Sequence, residues 1–153
     1  MYRILLIVAS LFIFTACGSN KGIINLMQVE LNKSPIFVVN HSATRAGVLR
    51  EIEKWFSENG YDAKVVESQT QVNPENFVMT YSARWGWDIG TYMRLVEMRV
   101  MKNSDVVGSL SFDSVEYGGI DKFGDAETRL KILLDVLFGK LTREEAEKKL
   151  MGS

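Results

Sequence analysis

The sequence predicts an α+β fold: a two-layer domain whose mixed β-sheet carries two main helices on one face, with a short C-terminal helix added. Three observations lead there. Runs with apolar residues at alternate positions are interleaved with two runs that are apolar every third or fourth residue. Their order is strand, helix, strand, strand, strand, strand, helix. The first strand–helix–strand unit is long enough for a right-handed crossover, which makes its two strands parallel. With 153 residues, 46% of them hydrophobic and only two prolines, the chain can bury one proper core.

Each element has its own signal. Pro35 opens the first strand, and Ile36 to Val39 are apolar on both faces, as in a central strand or one covered on both sides. Thr44 is the expected cap of the first helix, where Val48, Leu49, Ile52, Trp55 and Phe56 follow at helical spacing until Asn59-Gly60 ends it. "DAKVVES" is the second strand. From Phe77 to Trp87 the alternation is clean. Phe77, Met79, Tyr81, Ala83, Trp85 and Trp87 fall on one face, and Val78, Thr80, Ser82, Arg84 and Gly86 on the other.

Thr91 to Lys102 is the next strand, with Tyr92, Val96, Met98 and Val100 expected on the buried side. "KNSD" turns it back into Val106 to Tyr117, which adds Leu110 and Phe112 to that side. Gly118-Gly119 relieve a turn. A helix then starts at Asp125, buries Leu130, Leu133, Leu134 and Leu137, and stops near Gly139. Thr142 to Glu145 is a capping box that launches the last short helix. Ahead of all this, Ile23 to Leu31 reads as a short edge strand or a clinging arm. The sheet's second face carries Val78, Met93, Leu95, Met101, Val107 and Val115. It is expected to be moderately apolar, and either to receive a partner or to lie under residues 23–31.

Eighteen basic residues against nineteen acidic ones leave no electrostatic footprint for nucleic acid. One cysteine cannot form an internal disulfide, and one cysteine with one histidine cannot build a structural zinc site. No cofactor-binding motif is present.

The cysteine nevertheless has a telling position. Met1-Tyr2-Arg3 is weakly positive, Ile4 to Phe14 is an uncharged run of eleven residues, and Thr15-Ala16 are small before Cys17. That is the layout of a secretory leader, too short for a helix that must cross about 30 Å of hydrocarbon. Phe14-Thr15-Ala16-Cys17 resembles the lipobox of bacterial lipoproteins, with Phe14 where leucine is usual. The resemblance implies that residues 1–16 are a removed signal peptide and that Cys17 becomes the acylated first residue. Residues 17–34 would then be a lipidated tether or arm, and residues 35–153 a single globular domain. For a Gram-negative source the resemblance further implies the outer membrane, with the domain facing the periplasm, because Gly18-Ser19 rather than Asp follows the cysteine.

In element order, and in features such as "FVMTYSARWGWD" followed by a hairpin, residues 36 to 139 resemble small α/β envelope modules. Examples are the amino-terminal domain of the Tol-system propeller protein, the curli secretion lipoprotein and the lipoprotein activators of peptidoglycan synthases. Such likeness concerns fold and leaves activity open.

The leading candidate site is "RWGWD". Trp85 and Trp87 project to one face around Gly86, with Arg84 and Asp88 at the rim. They form either a stacking platform for a sugar or partner side chain, or a continuation of the core stripe. His41 has neither a nucleophile nor an orienting carboxylate identified beside it, so it reads as a capping or surface residue. Glu97 and Asp113 flank one hairpin and Glu116 follows, but nothing raises these carboxylates above solvated residues near Arg94 and Arg99. The expected function is therefore that of a non-enzymatic, lipid-anchored protein that binds an envelope protein or assembly. The alternatives are a small-molecule or glycan-binding module using Trp85 and Trp87, and then a cell-wall enzyme. Burial of the tryptophans and the character of the second sheet face discriminate among these.

Overall fold

The structure, a computed structural model, describes residues 24–31, 34–117 and 123–152. The expected α+β architecture is present, as an open six-stranded mixed sheet. Its strands are β1 (Ile24–Met27), β2 (Ile36–Val39), β3 (Ala63–Val66), β4 (Phe77–Trp87), β5 (Thr91–Lys102) and β6 (Asp105–Asp113), and its helices α1 (Ala46–Glu58), α2 (Ala126–Leu137) and α3 (Arg143–Leu150). The spatial order is β1-β6-β5-β4-β2-β3. The β2–α1–β3 unit gives the parallel pair that was expected, and β2 is also parallel to β4; the other neighbours are antiparallel.

Of the segment Ile23 to Leu31, residues 24–31 are described, and they take the edge-strand alternative. β1 pairs with β6 in the register Ile24↔Phe112, and Ile24 and Val29 enter the core, so the sheet takes in residues ahead of Pro35. Hydrogen bonds from Gln28 and Val29 help to hold this segment against the helices. The Val29 N–H donates to the Leu137 carbonyl at 2.9 Å, and the Gln28 side-chain amide donates to the carbonyls of Val136 and Leu141, each at 3.0 Å. Val29 lies so close over Gly108 that a Cβ on that glycine would stand 2.6 Å from the Val29 Cβ. Glycine is required there because another segment crosses the strand.

The core lies between the sheet and the helix layer. Val48, Ile52, Trp55 and Phe56 of α1 and Leu130, Leu133, Leu134 and Leu137 of α2 meet Met79, Tyr81, Ala83, Val96, Met98, Leu110 and Phe112 of the sheet. At its lower end Trp55 stacks with Tyr61 (ring centroids 5.7 Å apart) and with Phe138 (5.1 Å). The Trp55 indole N–H donates to Asp135 Oδ1 at 2.8 Å, so this buried polar tip is satisfied.

Most helix and turn signals act as read. Gly60 (φ +72°) and Gly139 (φ +70°) sit in the left-handed conformation just past α1 and α2. Thr142 and Glu145 make both hydrogen bonds of the capping box. Asn103 (φ 53°) and Ser104 (φ 70°) form the tight β5–β6 turn, with two consecutive positive-φ residues as its twist demands. Gly118-Gly119 lie outside the described residues.

Three expectations need correction. Thr44 does not cap α1: Arg45 occupies that position without a side-chain cap, and the Thr44 hydroxyl goes to the His41 ring instead. β6 ends at Asp113, and Ser114–Tyr117 is a 3₁₀ turn. The alternation of β5 also breaks near its start. The register passes from Arg84↔Leu95 to Trp85↔Met93, leaving Arg94 as an extra residue. That bulge turns Met93 into the core and pairs Tyr92 with Gly86 on the opposite face.

Asp125 is the N-cap of α2 and accepts the Thr128 N–H at 2.7 Å. Hydrogen bonds from the Thr128 side chain and backbone hold its pKa below the ordinary 3.8. A carboxyl with a lowered folded-state pKa contributes stability that is complete above the unfolded value and lost as pH falls through the folded one. Asp125→Ala is therefore expected to cost about 1 kcal/mol near neutrality. The difference from the parent should shrink below about pH 4. Urea unfolding of both proteins across this range checks it, and a pH-independent difference would refute the cap as its source.

Candidate functional site

The site is built on a protruding β-ribbon. Ala83, Val96, Phe112 and Ile24 form one row across four strands. Beyond that row β6 ends at Asp113 and β2 has already ended, whereas β4 and β5 stay paired as far as Trp87↔Thr91. At about 3.3 Å per residue, the four residues from Ala83 to Trp87 carry the ribbon roughly 13 Å past the row. The Asp88 N–H donates to the Gly90 carbonyl at 3.1 Å and closes the tip.

The four candidate residues within "RWGWD" separate along this ribbon. Trp85 continues the helix-side stripe but is only partly buried, packed against the core. The Arg45 guanidinium sits 4.0 Å from its ring centroid. This cation–π contact occupies the ring face that a stacking ligand would use. The Trp85 indole nitrogen is buried without a hydrogen-bond partner among the described residues. Trp87 is 80% exposed and Ile89, at the tip, 91%. Arg84 is exposed on the opposite face, and Asp88 is exposed in the turn. On Arg84's face the Tyr92 ring covers Gly86, where a Cβ would come within 2.6 Å of it, and meets Phe123 edge-on at 5.5 Å.

Ile89 was missed in the sequence because a single isoleucine next to glycine carries no periodic signal. Its meaning comes from the ribbon's projection beyond the sheet.

His41 Nδ1 and the Thr44 hydroxyl lie 2.9 Å apart, and the His41 N–H donates to the Tyr81 hydroxyl at 3.4 Å. Burial pushes the Tyr81 hydroxyl's pKa up, partly offset by that backbone contact. This joins the start of α1 to the sheet. Glu97 lies across from Ser82, whose hydroxyl donates to it at 3.4 Å. Asp113 turns to the Val115 N–H at 2.9 Å, and Glu116 is exposed in the 3₁₀ turn. Glu97 pairs with Ser111 and Asp113 with Leu95, so the two carboxylates do not face each other across the hairpin.

A concavity between α1 and α2 gathers Glu51, Glu58, Asp125 and Glu127 with Lys54 and Lys131. Glu51 pairs with Arg50 and Lys54, each at 3.6 Å, and Asp125 is committed to its cap. The pKa of Asp125 moves downward, opposite to what a general acid requires. Among the described residues no group of three or more His, Cys, Asp or Glu could hold a metal ion.

The second sheet face is polar at its centre and apolar only at its margins, where Leu95 lies opposite Arg84 and Asp113, Met27 opposite Ser109, and Phe37 opposite Val78. Met93 has gone into the core, Val107 packs against it, and Val78 is buried near Val72 and Met101 beside the β3–β4 loop. What remains at its centre is Thr80, Ser82, Glu97, Arg99, Ser109 and Ser111. Residues 24–31 do not lie over it, since β1 extends the sheet at its edge.

The fold and site thus define a small α+β domain with a protruding, aromatic-tipped ribbon. Its sequence matches no protein-family model and no curated protein. Among solved structures it is similar to the PelC dodecamer from Paraburkholderia phytofirmans, at 16% identity, TM-score 0.45, covering 57% of this chain and 77% of that one. A variant of that dodecamer is 11% identical at TM-score 0.46, covering 74% and 93%. A minor lipoprotein from Acinetobacter baumannii is 12% identical at TM-score 0.33, covering 78% and 95%. Likenesses this distant assign the chain neither a family nor an activity. No helix among the described residues is long and apolar enough to cross a membrane.

Proposed function

We propose that the chain is a non-enzymatic lipoprotein, anchored in the outer membrane through Cys17 and facing the periplasm, whose domain docks an envelope protein. The observation that carries this is Phe14-Thr15-Ala16-Cys17 at the end of an eleven-residue uncharged run, with the only cysteine at the attachment position. Acylation also accounts for a lone thiol in an oxidising compartment.

The surface best suited to a protein partner is the outer edge of β3, the last strand of the sheet. The Ile36 and Asn40 N–H groups donate to the carbonyls of Asp62 and Val66, at 2.9 and 2.8 Å. Even-numbered residues of β3 therefore face β2, and Ala63 and Val65 turn their N–H and C=O groups outward. Val65 also exposes 38% of its surface. An extended partner segment would add a seventh strand there, with main-chain hydrogen bonds giving affinity. The glycan reading draws on the exposed Trp87, but Arg45 over Trp85 removes the second ring of the platform.

Val65→Pro removes an outward donor while leaving the β2 pairing intact. A photo-crosslinker at Ala63 in envelopes is expected to give one discrete adduct, lost with Val65→Pro although α1 and α2 stay folded by circular dichroism. An adduct that persists in the variant, or none in the parent, would overturn edge docking.

A further inference from the structure

We infer that the tip of the β4–β5 ribbon is a second membrane contact, with Trp87 and Ile89 seated in the interface of the same bilayer that holds the lipid anchor. The inference rests on the lipoprotein reading.

Direction is the first argument. β4 and β6 run toward one end of the sheet, and β1, antiparallel to β6, starts there. Ile24 therefore begins the described chain at the end from which the ribbon projects. Seven peptide steps separate Cys17 from Ile24. At about 3.3–3.6 Å per residue they span on the order of 25 Å at most. The anchor thus holds this end of the domain near the lipid, and the tip leads toward it.

Chemistry is the second argument. Trp87 and Ile89, at 80% and 91% exposure, are the two most exposed large apolar residues of the described chain, and they sit at the end of the ribbon, with Phe123 packed beside it near Gly90. A tryptophan with an apolar body and a polar N–H suits the headgroup boundary, and isoleucine suits the acyl region just below. Exposed Arg84 and Arg94 flank the ribbon and Arg45 sits at its base, where they can meet lipid phosphates; Asp88, between the two apolar tips, limits depth to the interface.

Tethering is the third argument. A short linker holds the tip at an effective concentration near the bilayer that lets a weak contact be occupied. The acyl chains supply the affinity, and the tip sets the orientation.

The test uses the full lipidated protein, confirmed by intact mass, in vesicles of phosphatidylethanolamine and phosphatidylglycerol with brominated acyl chains. The difference in tryptophan emission between the parent and Trp87→Phe isolates Trp87. Expected are a blue shift of that difference, at least twofold quenching by bromolipid and protection from aqueous iodide. Ile89→Ser should lower the bromolipid quenching. Emission that iodide quenches freely overturns the inference. So does protection from iodide without bromolipid quenching, which signals a second copy or a soluble ligand on the tip. An unmodified Cys17 in the mass spectrum instead overturns the lipoprotein reading, so the two failures are distinguishable.

Discussion

Cys17→Ser is expected to shift the protein almost completely from the membrane fraction to the soluble periplasmic fraction, or to leave it uncleaved with residues 1–16 attached. Each buried CH₂ of an acyl chain contributes about 0.8 kcal/mol, and more than one chain makes anchoring stable. Nothing else in the described chain replaces that: its helices do not span a bilayer, and the tip contact is an interfacial one. Fractionation with and without high salt, with intact mass of each pool, measures the effect. A Cys17→Ser protein that stays bound after a salt wash, with its leader removed, would sink the lipid-anchor reading. The folded domain should be unaffected, because the first core residue among the described ones, Ile24, lies seven residues beyond Cys17.

The second large effect is in the core. Phe112 is fully buried, opposite Val96 of β5 on one side and Ile24 of β1 on the other. Phe112→Ala is expected to cost about 3–5 kcal/mol through lost burial and the cavity left behind. Against a typical total of about 5–15 kcal/mol, that is a large fraction. The corresponding fall in Tm is roughly 2–4 °C per kcal/mol for a chain of this size. Phe112→Leu should recover most of it. Because Phe112 also backs Ile24, hydrogen exchange in β1 should rise more than in β2. A loss under about 1 kcal/mol would show that the β6–β1 edge is not part of the cooperative core.

The physics of legibility differs from element to element. Phe77 to Ala83 was readable because period-two alternation is enforced by the pleat over the whole run, and the structure buries Phe77, Met79, Tyr81 and Ala83 on the helix side. Asn59-Gly60, Asp125 and Thr142 were readable because helix ends leave local N–H and C=O groups that local residues satisfy. Thr44 looked like a cap by the same logic, but its hydroxyl found the His41 ring first. Met93 and Tyr92 exchanged faces because a one-residue bulge is decided by pairing with β4, which lies outside the strand's own residues. That one residue, together with the burial of Val78, left the centre of the second sheet face polar and its apolar residues at the margins.

The two tryptophans mark the same boundary. Spacing put Trp85 and Trp87 on one face, and both do follow the helix-side stripe of β4. Whether they are core or surface depended on where the neighbouring strands end and on Arg45 reaching across from the start of α1. The α+β class and the caps at Asn59-Gly60, Asp125 and Thr142 were legible in the chain itself, because each rests on patterns between residues close in sequence. The protruding ribbon, the pairing of β1 with β6, the polar centre of the second sheet face and the shared direction of the tip and of Ile24 came only with the packed sheet. They depend on register between distant strands, and one residue of register turns a side chain from core to water.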